Sequence, residues 1–132
     1  MAKPLSFSGK TLFSGKEVEV VIEPAPEDYG LVFVRRDLNG THEIPVHPGS
    51  VLGDSLGFHC TVLGNREGRV YPVEHLLAVL YSSGVSNARI LVPGEELPFM
   101  DGSAQLILEQ IRRVGTVDQN QSRQSLTLQR EI

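Results

Sequence analysis

The chain reads as an α+β domain, a sheet with two helices packed on one face. Three observations predict this. Short runs of alternating apolar residues, bounded by Gly, Pro, Asn and Asp, fill most of the first 71 positions. Only two later stretches, around 71–83 and 102–114, carry helical periodicity. A single extended run, Ala88–Val92, lies between them. Strands, then helix, strand and helix in that order make an antiparallel or mixed sheet with its helices segregated to one side.

Taken in order, Leu5-Ser6-Phe7 and Thr11-Leu12-Phe13 read as two short extended pieces around a Ser8-Gly9-Lys10 turn. Gly9-Lys10-Thr11 does not end a phosphate-binding loop, because that motif needs glycine where Pro4 stands. Glu17 to Glu23 alternates, with Val18, Val20 and Ile22 on one face, and Pro24-Ala25-Pro26 stops it. Asp28-Tyr29-Gly30 turns into a strand over Leu31–Arg35, and Asp37-Leu38-Asn39-Gly40 turns again. Ile44-Pro45-Val46 can only be an edge strand, since Pro45 has no N–H for a ladder. Phe58–Leu63 and Arg69–Tyr71 flank Gly64–Gly68 as a hairpin, with Cys60 on its first strand as a small buried hydrophobe.

The first helix is expected over Tyr71–Ser83, with Pro72 in its first turn and Gly84 just past its end. Val73, Leu76, Leu77 and Leu80 form its apolar stripe, and His75 falls nearly opposite, beside Val79. The second helix is expected over Gly102–Val114, with Asp101 as N-cap and Gly115 as stop. Ile107, Leu108, Ile111 and Val114 share its buried face. The domain spans 1–115, and 116–132 reads as a polar linker followed by one terminal strand from Leu126.

Composition narrows the function. The 132 residues suit one domain, and 40 % apolar content suits a modest core. A net charge of −4 with no basic run argues against nucleic acid as a partner. The single Cys60 excludes an intrachain disulfide and fits a reducing compartment. No 18-residue apolar run predicts a transmembrane helix, and Met1–Ser6 lacks a secretory h-region. A cytoplasmic location is the expectation.

Glu74-His75 is the pair best suited to chemistry. A carboxylate beside an imidazole at a helix start can act as a general base next to a metal ligand. From the dipeptide alone the weightier reading is a capping carboxylate and a core or interface histidine. His42, His47 and His59 fall on loops and strands and read as surface or hydrogen-bonding residues. No H-E-x-x-H or CxxC pattern completes a metal site.

Six segments in register resemble the N-terminal half of the zinc-dependent UDP-3-O-acyl-N-acetylglucosamine deacetylases of lipid A biosynthesis. They are Leu12–Lys16 with the strand into Pro24-Ala25-Pro26, Arg35–Leu38, Cys60–Gly64, Val73–Ala78, Val85–Ala88 and Phe99–Ala104. The resemblance implies one of two similar domains that pack helix layer to helix layer, with the active site between them. It implies Glu74 as the catalytic general base and His75 as one zinc ligand, acting on an N-acetyl group of a UDP-sugar lipid precursor. It also implies that the other ligands, a His and an Asp, come from a second domain, so the zinc site in this chain is incomplete. Phe13 stands where the family has a histidine. The expected partner is therefore a second deacetylase-like domain, or a homodimer in which Ala78, Val79 and Leu106 meet a second copy. The alternative is a stand-alone, non-catalytic binding or regulatory module that keeps the fold.

Overall fold

The computed structural model describes residues 1–37, 42–53, 59–122, 127 and 129. Its elements are β1 (Leu5–Lys10), β2 (Glu17–Pro24), β3 (Leu31–Arg35), β4 (His42–Pro45), β5 (Val51–Leu52), β6 (Val62–Gly64), β7 (Arg69–Val70), α1 (Glu74–Ser82), β8 (Ala88–Val92) and α2 (Gln105–Val114). A five-stranded mixed sheet runs β1-β2-β8-β3-β4, and a small antiparallel sheet runs β5-β6-β7. Among the strands of the described residues, β3 and β8 alone pair in parallel.

One row of side chains explains where the helices lie. Leu5 pairs with Ile22, Ile22 with Ile90, Ile90 with Phe33, and Phe33 with Ile44. Side chains alternate across a strand, so the whole row projects from one face. It joins Leu76, Leu80, Ile107 and Ile111 in a single buried core. The α+β expectation holds, with both helices on that face. β4 is an edge strand as Pro45 requires.

Local sequence misleads at five points. β1 is one continuous strand, in which Ser8, Gly9 and Lys10 pair with Glu19, Val18 and Glu17. Gly9 is there for close approach, not for a turn: a Cβ on it would stand 2.8 Å from the Met100 sulfur. The true turn is Thr11–Lys16, closed by Thr11 N–H donating to the Lys16 carbonyl. α1 begins at Glu74, two residues after Pro72, with Val73 as its N-cap. Tyr71 is extended there, its N–H and C=O bonded to Glu95 and Leu97, and the Tyr71–Pro72 peptide is cis. α2 begins at Gln105, and Asp101 is not its N-cap; the Asp101 carboxylate accepts from Ser103 N–H and Oγ in a local turn. Cys60 lies in a bend before β6, half-buried.

Val79 is the fifth correction, and it reshapes the expected homodimer face. It is 2 % exposed and belongs to the core cluster that also holds Ile107 and Ile111 of α2. The outward face of α1 carries Glu74, His75, Ala78, Tyr81 and Ser82. Leu106 is exposed on α2, as expected.

Other sequence features hold. Gly84, at φ 73°, follows α1, and Val85 N–H reaches back to the Leu80 carbonyl. Gly115 ends α2 at φ 78°. β6 and β7 form a hairpin where one was expected, though its first strand is Val62–Gly64 rather than Phe58–Leu63, and Phe58 lies outside the described residues; the turn is closed by Asn65 N–H to the Gly68 carbonyl. Residues 116–122 carry no helix or strand; Gln119 bonds Asn87 and the Ala25 carbonyl, and Asn120 N–H bonds Glu27. The expected turn at Leu38–Gly40 and most of the strand from Leu126 lie outside the described residues.

Arg35 ties the small sheet to the large one. Its guanidinium is 3 % exposed, grips both Asp37 oxygens at 2.8 and 2.7 Å, and donates to the Arg69 carbonyl at 2.7 Å. A buried guanidinium needs such full satisfaction, since removing one partner strands a charge. The tie holds β7 against the end of β3.

Candidate active site

Burying Val73, Leu76, Val79 and Leu80 turns Glu74, His75 and Ala78 to the opposite, exposed face of α1. Val73 supplies no side-chain cap, so the first-turn carboxylate of Glu74 is the negative charge nearest the helix N-terminus. That carboxylate accepts a hydrogen bond from Thr61 N–H, which anchors it to the segment before β6. The His75 ring lies against Phe99, with centroids 5.8 Å apart and planes tilted 35°. Phe99 is itself held to β1, its N–H donating to the Lys10 carbonyl at 2.9 Å.

The Thr11–Lys16 turn is tied to Glu96 and Tyr71, just ahead of α1. Glu96, only 7 % exposed, accepts Phe13 N–H on Oε1 and Ser14 N–H at 3.0 Å on Oε2. Thr11 Oγ1 bonds Ser14 Oγ at 2.7 Å and accepts Lys16 N–H at 3.0 Å. The exposed Phe13 ring stands 5.9 Å from the Tyr71 ring, over which Arg69 places its guanidinium. Burial pushes the Cys60 thiol up, and the negative charges of Glu74 and Glu96 add to the shift. Cys60 is thus the less reactive thiol rather than a nucleophile.

Burial alone would raise the Glu96 pKa. Hydrogen bonds from Ser14, from the Phe13 and Ser14 N–H groups and from Thr11 outweigh it and hold the carboxyl below its ordinary 4.5. The bond to Arg35 likewise holds Asp37 below 3.8. A depressed folded-state pKa gives stability that is present above the ordinary value and lost as pH falls through the lower, folded one. The urea midpoint should therefore drop between about pH 7 and about pH 3.5, and drop less in Glu96→Gln. Equal drops in the two proteins would show that Glu96 does not contribute.

The sequence singled out Glu74 and His75 but gave no individual role to Thr61, Tyr71, Glu96 or Phe99, which the structure brings against them or the neighbouring turn. Gly94-Glu95-Glu96 reads as a solvated loop; its one hint was a carboxylate directly before the apolar Leu97-Pro98. The other histidines do what their positions suggested. His42 pairs with Glu67 at 3.0 Å, His47 Nδ1 accepts Gly49 N–H at 2.9 Å, and His59 is exposed. Among the described residues, no three His, Cys, Asp or Glu side chains gather to hold a metal. His75 suits one position of a zinc site, but this chain's described donors do not fill the three such sites normally take.

With this geometry in view, the comparisons are specific. The profile of the family described as LpxC: UDP-3-O-acyl N-acetylglycosamine deacetylase matches residues 1–132. The UDP-3-O-acyl-N-acetylglucosamine deacetylase of Cellvibrio japonicus (strain Ueda107) is 36 % identical over 132 residues, all of this chain and 43 % of that protein. The protein of the same name from Wolinella succinogenes is 34 % identical over 132 residues, again 43 % of its length. The Bifunctional enzyme LpxC/FabZ of Bacteroides thetaiotaomicron is 40 % identical over 115 residues, 87 % of this chain and 24 % of that protein. The chain thus spans less than half the length of these curated relatives.

Proposed function

Since this chain belongs to the UDP-3-O-acyl N-acetylglycosamine deacetylase family, we propose that it supplies one domain of a zinc-dependent amide hydrolase. The substrate is UDP-3-O-acyl-N-acetylglucosamine, a lipid A precursor, and the bond cleaved joins its acetyl group to the sugar nitrogen. The observation that carries this reading is the exposed Glu74-His75 pair at the start of α1, with the carboxylate anchored by Thr61 N–H. Glu74 accepts the proton of the attacking water as general base. His75 contributes one metal ligand. Zinc, when bound, lowers the pKa of water and polarises the amide carbonyl.

The remaining ligands belong, in this reading, to a second domain that covers the outward face of α1. The extra length of the relatives supports such a domain over a homodimer. A non-catalytic module is not favoured, because the family match runs through the whole chain. No helix among the described residues is long and apolar enough to cross a membrane. A cytoplasmic site of action fits both that and the single cysteine.

The test is a chimera in which residues 1–115 replace the matching part of the Cellvibrio japonicus relative. The chimera should bind one zinc by isothermal titration and deacetylate the UDP-sugar. The isolated chain should do neither. A folded chimera that binds zinc without activity would overturn the catalytic reading, and tight zinc binding by the isolated chain would overturn the shared site.

A further inference from the structure

We infer that Glu96 is a positioning residue: it clamps the Phe13–Ser14 turn to the entrance of α1 and makes the Phe13 ring a fixed wall of the proposed active site. The inference deepens the deacetylase reading and rests on it for the identity of the site. Its geometry stands independently. One buried carboxylate takes two successive backbone N–H groups, one on each oxygen, from residues 83 and 82 positions away in sequence. Charge-assisted hydrogen bonds of this kind are about twice as strong as neutral ones. Glu96 is fixed in turn, because its backbone bridges to Tyr71, Tyr71 N–H bonds the Glu95 carbonyl at 2.8 Å, and Leu97 N–H bonds the Tyr71 carbonyl at 2.7 Å. Glu74 follows three residues after Tyr71. A single link therefore joins the turn and the helix start.

The consequence appears at Phe13. Its side chain is 46 % exposed, an unusual position for a large ring, yet its backbone is bound to a buried charge and its ring abuts Tyr71. An apolar ring held in advance contributes to binding without the ordering cost that a loose turn would add. Phe99 is fixed to β1 and carries the His75 ring. Glu96 thus sets the wall on one side of Glu74-His75 without touching the reacting atoms.

The experiment is amide hydrogen exchange on the isolated chain, parent against Glu96→Gln. The glutamine keeps one acceptor but turns an N–H donor toward the other backbone N–H. Exchange at Phe13 and Ser14 should accelerate about ten- to a hundredfold, while Val20, Ile22 and Ile90 stay within about twofold. Glu96→Asp, one methylene shorter, should show the same selective loss and serves if the glutamine variant fails to fold. Unchanged protection at Phe13 and Ser14 would overturn the clamp. Equal acceleration in the sheet would make Glu96 a general structural residue and would overturn it too. In the active chimera, Glu96→Gln should raise KM about tenfold and leave kcat within about threefold. A lower kcat at unchanged KM, the mark of less folded enzyme, would count against positioning. An inactive parent chimera would sink the deacetylase reading, while the exchange result would still decide the clamp.

Discussion

Val79→Glu should leave the domain unfolded at neutral pH. Val79 sits in the core with Leu76 and Leu80 of its own helix and Ile107 and Ile111 of α2. Burying an unpaired carboxylate costs several kcal/mol even after relaxation. A domain of this size has about 5–15 kcal/mol in total. The variant escapes only by protonating or by separating the two helices, and both forfeit stability. Val79→Ala, which removes volume without charge, should cost roughly 2 kcal/mol and remain folded. Far-ultraviolet circular dichroism with urea titration of the three proteins decides the matter. A cooperatively folded Val79→Glu with a parental midpoint would place residue 79 on the surface and revive it as part of an association face.

Glu74→Gln in the active chimera should lower kcat by about 10²–10⁴-fold, the usual contribution of a general base, with KM little changed. The amide keeps an oxygen that can accept the Thr61 N–H bond, so the local structure should survive. Its nitrogen end cannot take a proton from water at neutral pH. Urea midpoints within error of the parent are needed to separate lost chemistry from lost fold. Zinc content should be unchanged in Glu74→Gln and reduced in His75→Ala, which distinguishes the two roles. A Glu74→Gln chimera that retains kcat within tenfold would remove Glu74 as the base.

The sequence alone determined whatever depends on local periodicity or on a single backbone position. Alternation fixes which faces of Glu17–Pro24 and Ala88–Val92 are buried, because successive strand side chains must point oppositely. Gly84 and Gly115 end their helices because left-handed φ is cheap only for glycine. The exposure of Glu74 and His75 follows from the stripe of Val73, Leu76 and Leu80 at 100° per residue. The six family segments are equally local.

The tertiary structure decided what depends on partners far along the chain. Gly9 looks like a turn until Met100 is packed against it. Val79 falls beside His75, away from the middle of the helical stripe, and only tertiary packing in the core shared with Ile107 and Ile111 buries it. Pro72 is compatible with a helical first turn, but pairing of Tyr71 with Glu95 and Leu97 keeps the chain extended to that point. Glu96 is the plainest case. Its neighbours in sequence describe a solvated loop, whereas two N–H groups more than 80 residues away make it a buried anion. A carboxylate leaves water only where donors replace it, and no local pattern records where those donors will be.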